Sequence, residues 1–231
     1  MKYPTEAPDW VAAASRCAAP LAVLVLALAL GACGSLPDKP TRAAMYDFGP
    51  GAAAAPAATG PAALPALAPL ALADVETSGG ALDNMAVLYR LAYADAQQLR
   101  PYAQARWSMP AAQLVRQRLR DTLSLQRAVF RAGEGPALTK VQGVLPLVLR
   151  VDLEEFSHYF ESPSSSFGLI RLRATLIEST PAGERQLAQR QVVVRQAAAT
   201  ADAPGGVKAL TAATEAAALE ISGWLQQLPR S

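Results

Sequence analysis

Cys33 is the residue whose neighbours most narrow its chemistry. It ends the stretch Leu28-Ala29-Leu30-Gly31-Ala32-Cys33, which closes an apolar run from Leu21 to Leu30. A leucine, two small residues and a cysteine behind such a run is how a bacterial lipoprotein export signal ends. The apolar core of an export signal is about 7–15 residues long, whereas a spanning helix needs about 20. The expected chemistry is a diacylglycerol on the Cys33 thiol, cleavage that makes Cys33 the first mature residue, and acylation of its new amino group. One acyl chain binds a bilayer marginally, and two anchor it stably. The competing reading is an ordinary secretory peptide cut elsewhere, with Cys33 an accidental thiol. Lys2 and Arg16 supply the positive flank, Glu6 and Asp9 dilute it, and the long leading segment fits a start codon downstream of Met1.

Other side chains offer less. His158 is the single histidine and stands beside Ser157, with Ser164 nearby in sequence. A serine and an imidazole make a nucleophile only when a fold orients them, and a histidine at a strand tip is expected to be solvated. Asp152, Glu154, Glu155 and Glu161 could do acid–base work. Cross-strand pairing with Arg171 and Arg173 on a solvated face explains them better. Arg116, Arg118, Arg120, Arg127 and Arg131 could meet anionic lipid or an acidic partner, or line a wet helix face. Tyr89, Tyr93, Tyr102 and Trp107 read as core. No Gly-rich phosphate loop, no G-x-S-x-G elbow and no Cys/His cluster occurs, so no metal, no other cofactor and no catalytic residue is expected. The net charge of +2 does not argue for nucleic acid. The second cysteine, Cys17, lies ahead of Cys33, so the mature chain has no partner for a disulfide.

The elements that must hold these residues follow from punctuation and period. Residues 1–32 are the signal. Residues 33–63 form an Ala/Pro-rich tether, held extended by its prolines, that could set a domain several nanometres from the bilayer. Within it, Met45-Tyr46-Asp47-Phe48-Gly49-Pro50 is either a turn or a segment that docks onto the domain or a partner. Residues 64–231 form one folded domain. Strands are expected at Leu67–Val75, at Met85–Tyr93 with its odd positions buried, and at Leu99–Trp107, an edge or bulged strand because of Pro101. Ser108 should cap a helix that opens at Pro110 and ends near Leu125. Ala111, Leu114, Val115, Arg118, Leu119, Thr122 and Leu123 fall at helical spacing, and most of them form its inward stripe, with Arg116, Gln117, Arg120 and Asp121 facing water. Arg127–Arg131 is a short strand. The run from Leu145 alternates until Glu154-Glu155, where the phase slips as a bulge would make it. A return strand around Ile170–Leu176 and a third at Leu187–Ala197 complete an antiparallel meander. After a break at Ala203-Pro204-Gly205-Gly206, a helix from Val207 to Leu228 buries Leu210, Ala213, Ala217, Ile221, Trp224 and Leu228. The expected class is α/β (an α+β sandwich), with a mixed or antiparallel sheet and both main helices on one face.

With the signal ending at Cys33, Tyr46-Asp47-Phe48-Gly49-Pro50, Tyr89-Arg90 and Tyr102-Ala103-Gln104-Ala105-Arg106-Trp107-Ser108-Met109-Pro110 ahead of a Leu/Arg helix, the chain resembles the ABC-type transport auxiliary lipoproteins. The Arg-Trp-x-x-Pro junction is the most specific piece. The resemblance implies a periplasmic domain on the outer membrane, working beside ABC systems whose periplasmic subunit carries MCE domains and moves lipids. It also implies a homo-oligomer. Gly34, where inner-membrane retention would use Asp, favours the outer membrane. The favoured function is therefore a non-enzymatic docking component of lipid transport, with Cys33 lipidated and Tyr46, Phe48, Arg116 and Arg120 as candidate partner or lipid contacts. The alternatives are a periplasmic lipid- or solute-binding carrier and a hydrolase built on Ser157 and His158.

Overall fold

The computed structural model describes residues 42–51, 67–132 and 145–228. Cys33 and residues 1–32, the expected signal, lie outside the described residues. The compact unit that carries the elements runs from Ala43, so it starts ahead of Leu64, where the sequence places the domain. Its strands are β1 (Ala44–Tyr46), β2 (Leu67–Thr77), β3 (Ala86–Leu91), β4 (Arg100–Trp107), β5 (Arg127–Arg131), β6 (Leu147–Phe160), β7 (Ser166–Thr180) and β8 (Gly183–Ala197). Its helices are α1 (Ala92–Asp95), α2 (Ala111–Ser124) and α3 (Ala203–Gln227).

β6 is the spine of the sheet. Along one edge it pairs antiparallel with β7, which pairs antiparallel with β8. Its other edge is shared: β2 lies parallel to its first half and β3 parallel to its end, where Tyr89 faces His158. β2 carries β5 on its far side, and β3 carries β4 and then β1. The result is a mixed sheet, an α/β arrangement of the expected class. The expected bulge is present between Leu153 and Glu155. It turns both Glu154 and Glu155 away from the helices and moves the helix-side positions from Leu149, Val151 and Leu153 to Phe156, His158 and Phe160.

α2 buries every residue of its expected stripe, Arg118 and Thr122 included. Its opening differs from expectation. Pro110 is the N-cap and no side chain caps the helix; the Ser108 N–H instead donates to the Tyr46 carbonyl, 2.7 Å away. α3 starts earlier than its prolines and glycines suggest. Asp202 caps it by accepting from the Gly205 N–H at 2.8 Å, and Pro204 sits in the first turn, where a missing N–H costs nothing. The glycines have a packing reason. A Cβ on Gly168 of β7 would stand 2.5 Å from the Ala209 backbone, so α3 lies directly on the sheet there. Leu210, Ala213, Ala217 and Ile221 are fully buried beneath it. α2 and α3 contact one another as well as the sheet, which gives one core.

The second strand is shorter than its apolar odd positions suggest. It ends at Leu91, and α1 follows. Met85 and Tyr93 are exposed, whereas Val87 and Leu88 are both buried. β4 is bulged as Pro101 implies: the register against β3 jumps between Ala86–Arg106 and Leu88–Pro101.

Candidate functional site

The segment Tyr46–Gly51 is the first place where candidate residues meet. Tyr46 pairs with Trp107 in the β1–β4 register. The Gly49 N–H donates to the Asp47 carboxylate at 2.8 Å, and Gly49 and Gly51 take positive φ values of 64° and 78°, which glycine adopts without steric cost. This turn drives the Phe48 ring inward. It meets Trp107 edge-on at 5.5 Å and Phe156 at 6.2 Å. Arg118, buried on α2, donates to the Phe48 carbonyl at 2.8 Å. The segment therefore docks onto the domain itself, and Phe48 is part of the core. The Arg118 latch could be read only in part from sequence: the helical period places Arg118 on the inward stripe, but its target lies 70 residues away.

Arg116 and Arg120 come together elsewhere. They line a groove of about 830 Å³ whose walls include Asp74, Asp83, Met109 and Arg131. Arg116 pairs with Asp74. Neither Tyr46 nor Phe48 lines this groove. The five-arginine group is thus divided, with Arg118 and Arg127 buried and Arg120 and Arg131 exposed. Burial lowers the Arg127 pKa.

His158 corrects an expectation. It is fully buried rather than solvated. Its Nδ1 is hydrogen-bonded to the Tyr102 hydroxyl and its Nε2 to the Ser166 hydroxyl, each at 2.8 Å. A neutral imidazole has one donor and one acceptor nitrogen, and hydroxyls satisfy either. Above it, a Cβ on Gly206 would lie 2.4 Å from Nδ1. Burial pulls the His158 pKa down to about 4, and the nearby Asp202 carboxylate only partly opposes this. Burial likewise raises that of Tyr102. Ser157 is next in sequence and so faces the opposite side of the sheet. It is buried, and its hydroxyl has no partner. Ser157 and His158 therefore do not form a dyad.

The acidic group is also redistributed. Glu154 pairs with both Arg171 and Arg173, as cross-strand pairing predicts. Glu155 instead accepts a two-pronged contact from Arg90, at 3.1 and 3.0 Å. Arg90 also donates to the carbonyls of Ala96 and Gln97, which fixes the turn after α1. Burial, then Glu76, raises the Asp152 pKa. Among the described residues no cluster of three or more His, Cys, Asp or Glu could hold a metal, and no helix is long and apolar enough to cross a membrane.

The sequence model of the ABC-type transport auxiliary lipoprotein component matches residues 46–222. The chain belongs to this family. The match starts at Tyr46, inside the docked segment, and runs to Ser222 in α3. Among solved structures, a DUF330 family protein from Xanthomonas campestris is similar at 20% identity and a TM-score of 0.58, over 71% of this chain and 88% of that one. A second, uncharacterized protein is similar at 14% identity and a TM-score of 0.57, over 80% and 99%. At these identities the likeness is one of fold. No curated protein matches the chain.

Proposed function

We propose that this transport auxiliary lipoprotein is a periplasmic docking component, anchored to the outer membrane through lipid on Cys33, that serves an MCE-linked ABC lipid transporter and works as a homo-oligomer. The family match across the folded unit carries this reading. The closed surroundings of His158 favour a role without chemistry, because both ring nitrogens are committed to Tyr102 and Ser166. Arg116 and Arg120, in their open groove, are the candidate contacts for a partner or for lipid headgroups.

Two measurements test it. Metabolic labelling with palmitate should mark the wild type and leave a Cys33→Ser variant unmarked; an unmarked, exported wild type would overturn the anchor. Cross-linking in cells, followed by affinity purification, should recover an MCE-domain protein or an ABC subunit. Recovery of neither would overturn the docking role.

A further inference from the structure

Arg118 and Arg127 are both buried, but only one of them is held. Arg118 donates to the Phe48 carbonyl. Arg127 is 7% exposed, and among the described residues its guanidinium makes no hydrogen bond and no ion pair. Its Nε–H is cut off from solvent and unpaired. Arginine keeps its charge at any working pH and has five N–H donors to satisfy. Burial is the sole cause that lowers its pKa, so no carboxylate offsets the cost. Arg127 opens β5, opposite Leu67 of β2. It points the same way as Val129, two residues on, which packs against the core. α2 ends just before it, and the Gln226 amide donates to the Gln126 side chain at 2.6 Å, which brings the last turn of α3 alongside. Helix ends of this polarity offer a cation roughly half an elementary charge, but they give Arg127 no bond. β5 is the last strand of the sheet on this side, and among the described residues no strand pairs with its outer edge.

We propose that Arg127 is an anion-binding residue, whose Nε–H and adjacent Nη–H grip one phosphate-type oxyanion at the open edge of β5. A buried charge is stable only with a partner, and the described residues supply none, so the partner is a ligand of opposite sign. The planar fork of a guanidinium matches two oxygens of one phosphate. Inorganic phosphate and the phosphodiester of a lipid headgroup present the same pair of oxygens. Arg127 does not line the groove of Arg116 and Arg120, so this site is a separate one and stands whether or not that groove docks a partner. An empty site leaves the charge unpaired, so the residue should cost the protein stability until its anion arrives.

The test uses the full chain in a neutral detergent. In buffer free of phosphate, Arg127→Met should raise the melting temperature, because methionine fills similar space without a charge. Inorganic phosphate should raise the melting temperature of the wild type by several degrees, as any ligand of the folded state does. It should leave Arg127→Met and Arg127→Lys unmoved, since an ammonium lacks the fork. In wild-type protein carrying isotope-labelled arginine, phosphate should bring out a slowly exchanging Nε–H resonance that Arg127→Lys lacks. Dihexanoylphosphatidylglycerol acting at lower concentration than inorganic phosphate assigns the site to a lipid headgroup, and the reverse order assigns it to free phosphate. No shift of the wild type by either, or an equal shift by sodium chloride at the same ionic strength, would overturn the proposal. So would a fall in melting temperature for Arg127→Met in phosphate-free buffer, which would show that the fold already satisfies the charge.

Discussion

The Arg118 guanidinium reaches the Phe48 carbonyl at 2.8 Å, and this bond joins the beginning of the compact unit to the inner face of α2. It also explains a buried cation: Arg118 is 6% exposed, and a charge at such depth needs a partner. The latch and the aromatic group beneath it act on one segment, so they should fail together.

Phe48→Ala should cost about 3–5 kcal/mol, as expected when a buried phenylalanine is truncated. Arg118→Ala should cost about 1–3 kcal/mol, by leaving the Phe48 carbonyl unsatisfied. Urea unfolding monitored by the fluorescence of Trp107 and Trp224, both buried in the core, would measure both. The two effects should not add, because each variant loosens the same strap. Additive losses would show that the ring and the latch work independently.

Stability should fall on acidification through a window set by His158. Its folded pKa is about 4, against about 6.5 in an unfolded chain. Between those values the unfolded state binds a proton that the native state refuses, so stability is full above about pH 6.5, declines as pH falls towards 4, and levels off below. The total is about 3 kcal/mol, at 1.36 kcal/mol per unit. Denaturation at a series of pH values would show the decline in the wild type, and His158→Gln should flatten that part of the curve.

Gly206→Ala should be among the most damaging of the small substitutions. The added methyl would stand 2.4 Å from His158 Nδ1, so α3 must lift or the imidazole must move. Overpacking of this kind costs about 1–3 kcal/mol. The Tyr102–His158 hydrogen bond should be lost as well, which the imidazole nitrogen shifts in an NMR spectrum would report.

Arg90→Ala should cost about 3–5 kcal/mol, because it strands the buried Glu155 carboxylate. Removing both charges, as Arg90→Met with Glu155→Met, should restore much of the loss. Thermal unfolding of the wild type and both variants decides it; a double variant no better than Arg90→Ala would show that packing of the arginine, not its charge, is what matters.

What was legible in the sequence depended on period. The stripe of α2 and the alternation and slip of β6 are local, and their residues read directly as faces. The alanines of α3 likewise foretold a helix lying close on its sheet. What was hidden depended on contacts distant in sequence. His158 reads as a strand tip, and only the arrival of α3 about fifty residues later buries it. Glu155 looks like one more carboxylate on a wet strand until β3 brings Arg90 beside it. Ala203–Gly206 reads as a break because proline and glycine usually interrupt helices. Here Asp202 turns those residues into a first turn, and His158 and Thr200 occupy the space their side chains would need. The sequence around Phe48 fits either a turn or a docking segment, and no local rule chooses between them, because Trp107 and Phe156 supply the answer.

The early start of the compact unit has a mechanical consequence. A leash running from Cys33 to residue 63 could reach about 100 Å, whereas one that ends at Ala43 spans at most about 35 Å. On the anchored reading, that bound keeps the compact unit within a few nanometres of its bilayer. A partner arriving from the opposite membrane would have to bring its own reach.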